Sequence, residues 1–380
     1  MGNTFKVSDR ILAAISDVEQ KRPALAAIIF DCDGVLIDSS RSYDLSLELC
    51  ARAFASVLGF QIPSSSDRLY KAVESLRRLG TFNNDWDTLA VITAFMYSKS
   101  KSRDALDAVG MLDSSRNRLR TFETLALRMM EGGGTETLDL SELDSILGSM
   151  QTGALRDEII SRLIPDAKLR AGFYRCVSYP KPVGESLLGT FFDEIMYGGS
   201  VFRETYGFEC ATTRMSNPGL ISNERVLVEA STLGKLSELC SGTFGIITGR
   251  PKVPTIFSLG NLYSSCFTDQ SICKFTGDYL LNSDEVKPSP RPMLQISSAL
   301  KEKSAPILYV GDSGEDLLLT KRFNALDEQH RSHRVLFAAV ASSPEKAEFF
   351  QKEGDVDCIV SSVNELPAVF SKNVEQPTPA

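Results

Sequence analysis

Two aspartates, Asp31 and Asp33, follow directly on the apolar run Leu25 to Phe30 (LAAIIF), in the string Phe30-Asp31-Cys32-Asp33-Gly34-Val35. An apolar strand that ends in carboxylates delivers them where open α/β sheets bind ligands, beyond the carboxyl ends of the strands. Two anions that close repel each other unless a cation or a shared proton offsets the repulsion. A bound Mg²⁺ would do so. The same D-x-D-G string is also turn chemistry, so the pair alone leaves both readings open.

Three further pieces lie downstream. Thr248-Gly249-Arg250 follows the apolar run Phe244 to Ile247. A hydroxyl and free backbone amides there can hold a phosphoryl oxygen, although Thr-Gly is also a common turn. Arg250 can reach a second anionic group, since guanidinium suits carboxylate or phosphate, or form a surface salt bridge. Lys287-Pro288 precedes a helical pattern. A lysine there can neutralise a transferring phosphate or simply be solvated. Gly311-Asp312-Ser313-Gly314-Glu315-Asp316 follows Ile307 to Val310. Asp312 is again a carboxylate at a strand end, and Asp316 begins or lies in the next helix. Chance turns rarely supply all four pieces in one order, three of them directly after strand-like runs.

The elements that must position these residues are legible as short apolar runs: Leu25 to Phe30, Phe244 to Ile247, Ile307 to Val310, Val335 to Ala341 and Cys358 to Val360. Runs apolar on both faces are expected of parallel strands covered by helices on both sides. Helical patterns alternate with them at Asn223 to Cys240, with Asn223 as N-cap, and at Pro290 to Lys301, opening on proline. This is the pattern of a doubly wound α/β fold. Residues 43–219 interrupt it with a mainly helical insert. Within the insert, Leu45 to Leu58 (ending at Gly59), Leu119 to Met130 and Ser141 to Leu155 read as helices. The expected domains are therefore a core of residues 1–42 and 220–380 and an insert of residues 43–219.

The four pieces together resemble the motifs of the haloacid dehalogenase superfamily on its phosphatase side: DxDGV, a threonine after a second strand, Lys-Pro, and GDxxxD. The resemblance covers the core, roughly Leu25 to Asp44 and Leu220 to Val369. It implies a Rossmann-like core and a Mg²⁺-dependent phosphatase acting on a small phosphorylated substrate. It implies Asp31 as nucleophile and metal ligand. Asp33 would be general acid/base and would lend a backbone carbonyl to the metal. Thr248, with Gly249, and Lys287 would bind the phosphoryl group. Asp312 would ligate Mg²⁺, supported by Asp316. Dehalogenase members lack the second aspartate, so Asp33 points to phosphoryl chemistry. The insert stands where subfamily IA members carry a helical cap of the C1 type, which selects substrate and excludes water, but it is longer than the simplest such cap. Residues 80–87 (GTFNNDWD, with the only Trp), Tyr197-Gly198-Gly199 and residues 202–207 (FRETYG) are similar to a little-characterised branch of subfamily IA. A phosphomutase or phosphotransferase on the same scaffold, or a non-catalytic binding module, are the competing readings.

Composition narrows the partners. The net charge of -8 repels phosphate backbones and anionic lipid, so neither nucleic acid nor a membrane is the expected partner. No run approaches the ~20 apolar residues of a transmembrane helix. The N-terminus reads as a short amphipathic helix without a signal peptide, and Asn373 to Ala380 as a disordered tail. The eight cysteines are scattered with no C-x-x-C pair, as expected of reduced thiols in a cytoplasmic protein. The two histidines, His330 and His333, are expected in a solvated loop.

Overall fold

The computed structural model describes residues 8, 10–11, 24–63, 67–79, 81–82, 84–132, 136–151, 153–212, 218–279, 284–302, 305–327, 329 and 331–371. Most of the N-terminal helix expected from the sequence, the C-terminal tail, His330, Gly80, Asn83 and the glycine run 133–134 lie outside these residues. The chain divides into two compact units, residues 1–39 with 224–380, and residues 40–223.

The first unit is built on a six-stranded sheet. Its strands are β1 (Ala27–Phe30), β2 (Phe244–Thr248), β3 (Cys273–Phe275), β4 (Ile307–Gly311), β5 (Val335–Val340) and β6 (Cys358–Val360). They run parallel in the order β6-β5-β4-β1-β2-β3. This is the doubly wound arrangement, with the strand order reversing at β1. Side chains alternate between the two faces as the pleat requires. Ile28, Phe30, Leu308 and Val310 enter one core, and Ala27, Ile29, Ile307 and Tyr309 enter the other. Because both faces are buried, the strands read as unbroken apolar runs. Each fully buried Leu, Ile or Phe contributes roughly 1.5–3 kcal/mol, which fixes the register. Phe30 lies opposite Ile246 on one side and Val310 on the other. The C-terminal ends of β1, β2 and β4 therefore meet at one edge.

Three details depart from the sequence expectation. β3 is an edge strand of three residues with half-buried Lys274 in its middle, too short and too mixed to show as an apolar run. The helix expected from Asn223 begins only at Ala230, and runs to Cys240. Asn223 closes a 3-10 turn instead. The residues between include a two-residue strand, Arg225–Val226, that pairs antiparallel with Ile37–Asp38. His333 is buried, not solvated: its Nδ1 faces the Ser297 hydroxyl at 2.7 Å and its Nε2 faces the Glu302 carbonyl.

The second unit holds nine helices among the described residues. Its first helix, Tyr43–Val57, ends at Leu58, and Gly59 takes φ +83. That left-handed conformation is open to glycine at no steric cost. Asn84 caps the helix Asp85–Lys99 by accepting from the Trp86 amide. The Trp86 indole packs edge-on to Tyr179 and donates to Asp193 Oδ1 at 3.0 Å. Asp193 and its neighbour Glu194 are both buried in the helix Leu187–Tyr206. Tyr206 donates to Asp193, and Thr212 and the Ala211 amide donate to Glu194. Burial pushes the Asp193 pKa up to about 7. Among the described residues no helix is long and apolar enough to cross a membrane. All eight cysteines carry free thiols.

Candidate active site

The site grows out of the three strand ends. After β1, the chain turns tightly. The amides of Leu36 and Ile37 both donate to the Cys32 carbonyl at 2.8 Å, and the Gly34 amide donates to the Ile37 carbonyl at 2.9 Å. Gly34 has φ +70, and a Cβ placed on it would lie 2.2 Å from Asp312 Oδ2. Only a residue without a side chain lets this loop lie against the end of β4.

Asp31 and Lys287 meet at that point. Asp31 Oδ1 accepts the Cys32 amide at 2.7 Å, and Oδ2 lies 2.9 Å from Lys287 Nζ. The same ammonium is 2.9 Å from Asp316 Oδ1. Asp316 is held on every side. Tyr309 donates to Oδ1 at 2.6 Å, and the Ser313 hydroxyl donates to Oδ2 at 2.7 Å. The amides of Asp312 and Ser313 add longer bonds to Oδ2. Ser313 and Asp316 form the capping box of the helix Gly314–Asn324. Asp312 Oδ2 in turn is 2.6 Å from Lys346 Nζ. One oxygen each of Asp31, Asp312 and Asp316 fall within 4.8 Å of one another.

The electrostatics follow from burial. Asp31 is pushed well above the ordinary carboxylate value by desolvation, which the Lys287 charge opposes and the neighbouring aspartates reinforce. Asp312 is likewise raised by burial, with Lys346 opposing. Burial also works against ionised Asp316, but Lys287 and the hydrogen bonds from Tyr309 and Ser313 outweigh it and hold its pKa low. A group of carboxylates this close and this dry is costly to ionise without compensating positive charge. Its donors are all oxygen, the set that hard divalent cations such as Mg²⁺ take. The residues present therefore fit a Mg²⁺ ion.

Thr248 ends β2 in a buried position, and its hydroxyl oxygen accepts the Arg250 amide at 3.2 Å. Among the described residues, and apart from its own chain neighbours, no atom lies within 4 Å of where a Cβ on Gly249 would stand. Arg250 does not take either role expected for it, as anion receptor or surface salt bridge. Its side chain is 1% exposed and lies between Asp33 and Glu224. Its donors are engaged by those two carboxylates and by the Ser258 hydroxyl. Asp33, in contrast, keeps a side chain 36% exposed.

The chain is similar to two solved hydrolases. One is a phosphatase from Thermococcus thioreducens, 18% identical, with 83% of this chain and 92% of that chain covered at a TM-score of 0.45. The other is a HAD-superfamily hydrolase of subfamily IA, variant 1, from Geobacter sulfurreducens, 15% identical, with 91% and 98% covered at a TM-score of 0.32. No family model and no curated protein matches the sequence. At such identities the side chains themselves must decide the chemistry.

Asp31, Lys287, Asp312 and Asp316, expected together from the sequence, lie together at the ends of β1 and β4. Four neighbours were not foreseen. Lys346 follows Ser343, the N-cap of the helix Pro344–Glu353 after β5, so a strand-to-helix turn was its only signal. Tyr309 is hidden inside an apolar strand. Glu224 and Ser258 carry no motif at all and are marked only by their contacts with Arg250.

Proposed function

We propose that this chain is a Mg²⁺-dependent phosphatase of the haloacid dehalogenase type that hydrolyses a phosphomonoester of a small molecule through an aspartyl-phosphate on Asp31. The observation that carries the reading is the junction of Asp31 with the Lys287 ammonium, 2.9 Å apart, beside Asp312 and Asp316 at the C-terminal edge of a parallel sheet. A carboxylate nucleophile divides a hard hydrolysis into two easier displacements.

In this reading Asp31 attacks phosphorus through one carboxylate oxygen while its other is steadied. Lys287 offers positive charge to the phosphoryl oxygens as negative charge develops on them. The Thr248 hydroxyl and the Gly249 amide contribute neutral donors. Asp33 gives a proton to the departing alkoxide, then takes one from the water that attacks the aspartyl-phosphate. Asp31 and Asp312 would hold Mg²⁺, with the Asp33 carbonyl. Asp316, already bonded on both oxygens, would orient Lys287 and the Asp312 loop. When bound, the cation screens the carboxylates and the incoming phosphate from one another.

The test is phosphate release from a panel of phosphorylated sugars, hydroxy acids and an aryl phosphate in the presence of Mg²⁺, with Asp31→Asn alongside. We expect turnover by the wild-type chain and a loss of at least about a hundredfold in the variant, roughly 2.7 kcal/mol of barrier. Intact-mass detection of a phosphoryl adduct on Asp31 in rapidly quenched samples should accompany turnover. Activity retained in Asp31→Asn rejects the nucleophile. Isomerised ester without released phosphate replaces hydrolysis with internal phosphoryl transfer.

A further inference from the structure

Arg250 presents an unusual arrangement: one buried guanidinium shared by two carboxylates. Its Nε donates to Asp33 Oδ1 and Oδ2 at 3.0 and 2.9 Å, and Nη2 donates to Asp33 Oδ1 at 2.7 Å. On the other side Nη1 and Nη2 reach Glu224 Oε2 and Oε1 at 2.9 and 2.6 Å, and Nη1 also approaches Ser258 Oγ at 3.3 Å. Ser258 donates to Glu224 as well. A guanidinium has five N–H groups in a rigid plane, and every nitrogen here is engaged within the protein. None points to a ligand.

Burying a second carboxylate is expensive unless it is fully paired. Glu224 is 2% exposed, so its position calls for a structural reason. It balances the guanidinium's charge and anchors the far side of the plane, so that the near side is fixed against Asp33. A lysine at position 250 would supply charge but no fork. The two oxygens of Asp33 are also treated differently. Oδ1 receives an N–H of Nη2 and shares the single Nε–H with Oδ2, which has no N–H of its own. Oδ2 therefore keeps more acceptor capacity, on a side chain that remains partly open to solvent.

We infer that Arg250, anchored by Glu224, is the positioning residue for Asp33, holding its carboxylate by Oδ1 so that Oδ2 is the oxygen that exchanges a proton with the leaving group. This rests on the phosphatase reading. In the first displacement the Asp31 oxygen–phosphorus bond forms and the phosphorus–alkoxide bond breaks. The alkoxide oxygen takes the proton from Asp33 Oδ2 and leaves as alcohol. In the second, water oxygen bonds to phosphorus, the Asp31 oxygen–phosphorus bond breaks, and Asp33 Oδ2 recovers a proton as inorganic phosphate forms. Misalignment of Oδ2 should therefore harm poor leaving groups far more than good ones.

The experiment compares kcat/KM, which reports the first displacement, for glycerol phosphate and p-nitrophenyl phosphate. It uses the wild-type chain with Mg²⁺, Arg250→Met, Arg250→Lys, Glu224→Gln and Asp33→Asn. We expect Arg250→Met to lower the alkyl-ester value by about 10–100-fold, a fraction of the ~10²–10⁴ that general acid–base catalysis supplies. The aryl-ester value should fall less than about threefold, with the loss in kcat and little change in KM. Arg250→Lys should not restore the alkyl ester, Glu224→Gln should show the same selectivity in weaker form, and Asp33→Asn should show it in full. A partly unfolded variant lowers both esters equally, so their ratio remains informative. Equal losses on the two esters in both Arg250→Met and Glu224→Gln, or a rise in KM alone, overturn the positioning role while leaving the phosphatase reading intact. A wild-type chain that turns over neither ester sinks the phosphatase reading and takes this inference with it.

Discussion

Replacing Gly34 by alanine tests whether the loop after β1 and the end of β4 form one working unit. The added Cβ would start 2.2 Å from Asp312 Oδ2 and 2.6 Å from its Cγ. Real Cβ contacts essentially never fall under 3.0 Å, so the carboxylate must retreat by about 0.8 Å or the loop must lift by as much. The backbone at φ +70 adds roughly 1–2 kcal/mol of left-handed strain for a residue with a side chain. A displacement near 1 Å in a catalytic constellation can cost on the order of 10²-fold in rate. We therefore expect Gly34→Ala to lower Mg²⁺ affinity at least about tenfold, or ~1.4 kcal/mol, and turnover by up to about a hundredfold. The fold should weaken by no more than about 3 kcal/mol. Calorimetric titration with Mg²⁺, chemical denaturation and phosphate release measure the three quantities separately. A variant that binds Mg²⁺ and releases phosphate within twofold of wild type would refute the close coupling of Gly34 to Asp312.

Three more expectations follow from the structure. In Lys287→Met, two carboxylates lose the ammonium that lies 2.9 Å from each. Without Mg²⁺ the variant should be less stable by about 3–5 kcal/mol, and its turnover should fall at least about a hundredfold; denaturation and phosphate release check both, and an unaltered midpoint contradicts the ion-pair assignment. Asp193 has a folded-state pKa raised from 3.8 to about 7 by burial. Its favourable contribution is complete below the unfolded value and is lost as pH rises through about 7. A shift of about three units corresponds to on the order of 4 kcal/mol, so the stability advantage of wild type over Asp193→Asn should decline from about pH 4 to about pH 7 and flatten beyond it. Urea midpoints measured across that range decide, and parallel curves for the two proteins reject the assignment. Finally, chelation should abolish turnover and added Mg²⁺ restore it, with thermal unfolding shifting upward on Mg²⁺ addition as a readout independent of activity; activity indifferent to chelator removes the cation from the proposal.

The doubly wound core was legible because its chemistry is local. β1, β2, β4, β5 and β6 are apolar on both faces, and Asp31 and Asp312 follow such runs directly. The edge strand Cys273–Phe275 was not, since a half-buried lysine breaks its pattern and three residues carry little periodicity. Helix starts were read less well than strands. The stretch from Asn223 reads as the start of an amphipathic helix, yet Val226 is drawn into a two-residue strand pair and Ala230 begins the helix. The Arg250 environment was invisible for a different reason. Its partners Asp33 and Glu224 lie 217 and 26 residues away, and no spacing rule connects them. An arginine after Thr-Gly reads either as an anion receptor or as a surface salt bridge until the fold shows it buried between two carboxylates. His333 was misjudged similarly: polar neighbours in sequence suggested solvent, whereas Ser297 and the Glu302 carbonyl satisfy it in a buried position.

The antiparallel pairing of Ile37–Asp38 with Arg225–Val226 has an evolutionary consequence. The outgoing and returning chain are stapled side by side, about 5 Å apart as paired strands must be. To the sheet below, everything threaded between those two points is equivalent to a hairpin loop, whatever its length. Loop extension carries only a slowly growing entropic penalty. A lineage could therefore lengthen, prune or exchange the segment between them without disturbing this strand pair or the register of the sheet.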